Sequence, residues 1–198
     1  MRTAFPLGAL TCLILLAVLP GSGAAETGTG RGKENREAPV SVAVEAERMD
    51  LPASKGGRRV LRVIHDIQKR LKRTRYQHRT LVRHYRGIYL WDCSGMAEWV
   101  LRRAAPRTLS GIRRERPVAR DFYRVISRAP TDRVRRGWRR VARLQDARPG
   151  DVVAWVRPPH WGKGVTGHVG FLVRSPRPVQ GQPYVFSVRI ADATSLPH

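Results

Sequence analysis

From Arg58 onward, Val60, Val63, Ile64, Ile67 and Leu71 fall at i, i+3, i+4, i+7 and i+11, an apolar stripe along one face of a helix. Arg and Lys occupy the opposite face, which reads as a solvated helix surface. Between Thr74 and Leu90 no period is sustained, and the segment reads as a looser connection. A second helix is expected from Asp92 or Cys93 to Arg103, with Met96, Ala97, Val100, Leu101 and Ala104 on its apolar side. Pro106 stops it, because proline lacks the N–H a helix needs. Phe122, Val125 and Ile126 mark a third helix over Val118 to Arg128. The texture then changes: a Pro149-Gly150 turn leads into the β-branched run DVVAWV, HVGFLV follows from His168, and YVFSVRIA follows from Tyr184. There is no internal repeat. Helices first and an antiparallel sheet afterwards predict an α+β fold.

The amino-terminal residues differ in kind. Arg2 precedes an apolar stretch from Ala4 to Leu19, Pro20 and Gly21 end any helix, and Ser22 to Ala25 are small. That is the pattern of a cleaved secretory signal peptide over residues 1–25; a retained span needs about 20 apolar residues. A lipid-attached reading of Cys12 is weak, since Thr11 precedes it. Residues 26–57 read as a flexible linker, with a brief alternation from Val40 to Ala46 that allows one short strand. Residues 58–198 form the expected domain. With three strands in view and the chain ending just after the third, either a further strand lies near Val40 or the sheet keeps an exposed edge at the C-terminus.

Charge bears on partners. Lys and Arg number 38 against 15 Asp and Glu, a formal net charge of +23, which becomes +22 when the leader takes Arg2 with it. The surplus is spread from Arg58 to Arg189 and is not gathered in one tail. Such a surface favours anionic envelope polymers or an acidic membrane surface. Nucleic acid is a poorer fit: aromatics are 7% of the chain, no nucleic-acid motif is present, and export removes that partner. His65, His78, His84 and His160 lack an HExxH or paired Cys/His spacing, so no metal site and no cofactor are expected. Nothing demands more than a monomer.

Once the leader is removed, Cys93 is the sole cysteine, and an exported thiol with no partner needs a reason to be there. The bland reason is a small buried hydrophobe. Its neighbours argue otherwise. WDCSG places Cys93 where a loop becomes a helix, with Asp92 suited to the N-cap and Ser94 able to serve the first-turn amides. The positive helix end favours a thiolate, and the first-turn N–H groups can receive an oxyanion. Gly95 leaves room for a substrate backbone, or is a plain turn residue. His168 opens a strand between Gly167 and Gly170, where an imidazole could take the thiol proton and later protonate a leaving amine.

These residues resemble a known family. DCSGMAEWVL, LQDARPGDVVAWV and GHVGFLV, in that order, are similar to the three signature blocks of the NlpC-type cell-wall peptidases, from about Tyr76 to Asp192. The resemblance implies a papain-like fold in which N-terminal helices, one bearing the cysteine, pack on a small antiparallel sheet with the histidine at a strand start. It implies hydrolysis of amide bonds in peptidoglycan stem peptides, with Cys93 as nucleophile and His168 as general base and acid. Asp92 and Ser94 carry over as flanking motif residues, and Asp151 as part of the block preceding the histidine strand. For the third polar residue, where the family has His, Asn or Gln, Asp192 stands at the matching point. An aspartate there would fix the imidazole tautomer; a strand-end aspartate opening a turn is the alternative, and His198 is another candidate. A site-lining tyrosine upstream of the cysteine is assigned to Tyr76 over Tyr85 and Tyr89. The rival function is a catalytically inactive, cationic wall-binding protein of the same fold.

Overall fold

A computed structural model describes residues 50–157 and 166–195. The signal peptide, the linker up to residue 49, the alternation at Val40–Ala46, His160 and His198 lie outside the described residues.

Helix α1 spans Lys55–Arg70. Ser54 caps it, its hydroxyl accepting from Gly57 N–H at 2.9 Å, so the helix starts three residues inside the segment read as linker. Val60, Ile64 and Ile67 of the apolar stripe are buried, and Lys69 and Arg70 sit in the last turn, where cations suit the helix dipole.

The segment expected to be loose is a small sheet. Strands β1 (Arg73–Tyr76), β2 (Leu81–Arg83) and β3 (Ile88–Trp91) lie in the order β1-β3-β2, with β1 parallel and β2 antiparallel to β3. Strands of three or four residues, with Arg and Thr facing solvent, are too short to show a period of two. Gly87, at φ 67°, turns the chain into β3, and its carbonyl accepts from the N–H groups of Lys72 and Arg73.

Helix α2 (Cys93–Ala104) follows β3 directly and is the most buried helix, with Met96, Ala97, Val100, Leu101 and Ala104 in the core. A 3₁₀ segment from Pro106 follows. Helix α3 (Ala119–Ser127) starts where the Asp121 carboxylate accepts from Val118 N–H at 3.0 Å, and it buries Phe122.

The second sheet is antiparallel, in the order β4 (Val152–Val156), β5 (Gly167–Leu172), β8 (Ile190–Ala191). Strand β5 is its middle strand, buried from Val169 to Leu172, which is why it reads as an apolar run and not an alternation. Helices α2 and α3 both pack on β5. The strand expected from Tyr184 divides. β7 (Gln182–Ser187) pairs with β6 (Arg177–Val179) as a separate hairpin, and only β8 joins β5. The architecture is α+β.

The PGD turn before β4 docks on the start of α1. Arg148 N–H donates to the Asp151 carboxylate at 2.8 Å, Gly150 N–H to Leu172 O at 2.7 Å, and Leu172 N–H to Asp151 O at 2.9 Å. Gly150 has φ 87°, and a Cβ there would fall 2.4 Å from Gly57 O. Gly181, at φ 73°, has open space around it. Replacing either by alanine costs the left-handed strain of about 1–2 kcal/mol, and Gly150→Ala adds a backbone collision. Urea unfolding should therefore rank Gly150→Ala as clearly less stable than Gly181→Ala; equal losses would remove the docking contact as its cause.

Candidate functional site

The site forms where the two sheets meet the N-terminus of α2. Asp92, in extended conformation at φ −98°, caps the helix and accepts from Gly95 N–H at 2.7 Å. The first bond of the helix ladder is Met96 N–H to Asp92 O at 2.9 Å. The N–H groups of Cys93 and Ser94 precede it, in the turn where helix geometry provides no acceptor. Cys93 is 6% exposed, and its sulfur lies 3.8 Å from the Ser94 hydroxyl.

Parallel pairing of β1 with β3 sets Tyr76 opposite Trp91, two residues before the cysteine. The Tyr76 phenol is pushed up to about 12 by burial, by the negative charges of Cys93 and Asp92, and by its hydrogen bond with Cys93. It therefore keeps its proton and can donate at neutral pH. Tyr85 instead faces solvent. Tyr89 is fully buried and bonded to His84 Nδ1 at 2.8 Å.

His168 and Asp192 come from neighbouring strands. Phe171 pairs with Ala191, which sets Asp192 beside Gly170 and on the face that Gly170 shares with His168. A Cβ on Gly170 would come 3.1 Å from that of Asp192, so the missing side chain clears the way for the carboxylate. His168 Nε2 and Asp192 Oδ2 are 2.5 Å apart, with the two side chains 15% and 11% exposed. Burial alone would push the imidazole down. The hydrogen bond to Asp192, then the hydrogen bond and charge of Cys93, and finally the charge of Asp192, outweigh it and hold the ring up at about 9. With Nε2–H given to Asp192, Nδ1 is the nitrogen left for the thiol.

Cys93, His168, Asp192 and Tyr76 thus converge, with Asp92 and Ser94 flanking the thiol; Gly95 does not open room for a substrate backbone, because Thr80 fills the space a side chain would take. Asp151 does not join them; it closes the PGD turn, and burial pushes its carboxyl up. Three further residues that the sequence reading missed lie at the site. Trp155 pairs with His168 across β4 and β5, and its ring lies 5.0 Å from the imidazole. His78 Nδ1 is 3.2 Å from the Asp92 carboxylate. Thr80 covers Gly95 so closely that a Cβ there would meet its hydroxyl at 2.1 Å. Only Trp155 could have been found, by pairing DVVAWV with GHVGFLV in the right register. Among the described residues no group of three or more His, Cys, Asp or Glu is placed to hold a metal.

No family profile, curated protein or solved structure matches the chain.

Because the His168 ring stands at about 9 against 6.5 for a free histidine, its contribution to stability is present in full below about pH 6.5 and is lost as pH rises through about 9. Asp192→Asn removes the largest raising influence. Nuclear magnetic resonance titration should show the ring losing its proton at lower pH in that variant. Urea midpoints should fall less between about pH 6 and about pH 10 than in the parent chain. An unchanged ring titration would mean that Asp192 does not govern the imidazole.

Proposed function

We propose that the chain is an exported cysteine peptidase that hydrolyses amide bonds in peptidoglycan stem peptides. The observation that carries the reading is a thiol at a helix N-terminus beside an imidazole whose far nitrogen is held by a buried carboxylate. Three such groups from three elements distant in sequence are more than a buried cysteine requires. The substrate class rests on the resemblance of the three sequence blocks to cell-wall peptidases, and export on the leader over residues 1–25.

In this reading Cys93 Sγ, as thiolate beside the His168 imidazolium, attacks the scissile carbonyl carbon, and the C=O pair moves onto oxygen. The Cys93 and Ser94 N–H groups and the Tyr76 hydroxyl are the donors nearest that oxyanion. Collapse breaks the C–N bond, His168 Nδ1–H gives its proton to the departing amine, and a thioester remains. Water then loses a proton to His168 and attacks the thioester carbonyl. The C–S bond breaks, releasing the acid and restoring the ion pair. Asp192 keeps the ring turned toward the sulfur throughout. The cationic surface adds affinity for anionic envelope polymers or an acidic membrane surface.

The 6% exposure of Cys93 favours a second reading, a wall-binding protein of the same fold without turnover. Incubation with purified peptidoglycan separates the two. The peptidase releases new amine ends, and Cys93→Ser lowers that rate by about a thousandfold or more; release that survives the substitution removes Cys93 from the chemistry. The rate should also fall on the alkaline side near pH 9, as the thiol–imidazole pair loses the proton held on His168. Asp192→Asn should move that limb to lower pH. No release, together with iodoacetamide alkylation no faster than that of a free thiol, is the outcome for the wall-binding reading.

A further inference from the structure

The segment from Arg128 to Arg148 takes no part in the site, yet it holds eight arginines against two aspartates and no lysine. At its centre Arg135 and Trp138 exchange backbone bonds, N–H to O at 2.8 and 2.9 Å. The two residues between them, Arg136 at φ 50° and Gly137 at φ 81°, are both left-handed. A two-residue turn of this kind favours Asn-Gly. Arginine in the first position carries strain that persists only where the surroundings hold it. Here they do. The Trp138 ring is buried and its Nε1–H donates to Thr108 O at 2.8 Å. A Cβ on Gly137 would stand 3.0 Å from Thr108 N, and Arg140 N–H closes the base of the turn on Pro130 O at 2.8 Å.

The charges are divided within the turn. Arg133 pairs with Asp132 and Arg143 with Asp146. Arg135, Arg136, Arg139 and Arg140 are exposed, and among the described residues no carboxylate forms an ion pair with them, although the charge of Arg139 acts on the Asp151 carboxyl. Setting Arg139 aside, three guanidinium groups without a carboxylate partner stand on a backbone that is held in place before any ligand arrives.

We propose that this arginine turn docks a linear phosphodiester polymer that carries no bases to stack. Guanidinium forks grip discrete phosphates through paired hydrogen bonds, whereas a diffuse membrane potential is served equally well by lysine. The only ring in the segment, Trp138, is buried, so nucleic-acid bases find no stacking platform. The proposal rests on the envelope-polymer part of the function above and makes no use of the hydrolytic part.

The test uses the full chain carrying Cys93→Ser, titrated with poly(glycerol phosphate) at several salt concentrations. The triple variant R135K/R136K/R140K keeps the charge and loses the forks. R58K/R59K/R62K makes the same change on the exposed face of α1, and thermal melts check that both variants are folded. The turn variant should bind about tenfold more weakly and the α1 variant within about twofold of the parent. Equal losses in both variants, unchanged binding of the turn variant, or equally tight binding of the parent to anionic vesicles, polyglutamate or single-stranded DNA would each overturn the proposal. Hydrolysis of polymer-free peptidoglycan by the turn variant with Cys93 intact reports separately on the peptidase reading.

Discussion

The hydrogen bond between the His168 imidazole and the Asp192 carboxylate is the contact on which the candidate site depends. It joins two strands that are adjacent in the sheet and far apart in sequence, and it decides which ring nitrogen faces the sulfur. It also decides the charge of the ring. Burial by itself favours a neutral imidazole; the carboxylate reverses that, and the neighbouring Cys93 sulfur adds to the reversal. Gly170 is the geometric condition for the bond, because a side chain there would press against Asp192.

The second half of the site is built by a different device. Strand β3 runs straight into the cap of α2, so the strand fixes where the helix begins and therefore where Cys93 sits. Parallel pairing of β1 with β3 then delivers Tyr76 to the same point. Asp92 serves two neighbours at once, the Gly95 amide of the helix and the His78 ring beyond β1. Helix start, tyrosine and cap are thus one mechanical unit. That unit meets the histidine strand through the packing of α2 on β5.

Charge is distributed on a separate principle. The basic face of α1 is a solvated helix surface with the cations spaced by the helical repeat, and one of them, Arg70, is neutralised by Asp66 at 2.7 Å. The arginines of the turn around Trp138 are instead held by a buried indole and a strained backbone.

The three helices were legible in the sequence because each has an apolar stripe, and α2 also has Asp92 as a cap and Pro106 as a stop; the Ser54 cap, which starts α1 three residues before Arg58, lay in the segment read as linker. Cys93 at a helix start and His168 at a strand start were legible for the same reason. The short strands β1 to β3 were not, since three or four residues of Arg, Thr and Leu carry no period, and pairing with β3 supplies the order they lack. The division of the strand after Tyr184 was hidden as well, because partner choice and not local propensity separates β7 from β8. Asp151, read by resemblance as part of the block preceding the histidine strand, closes the turn that leads into that block's strand. Local chemistry, the thiol at its helix end and the imidazole beside its glycines, was set by the order of the amino acids. Whether the two meet, and that Asp192, Tyr76 and Trp155 surround them, was decided only by helix packing and strand register, which depend on contacts between residues that are not neighbours in sequence.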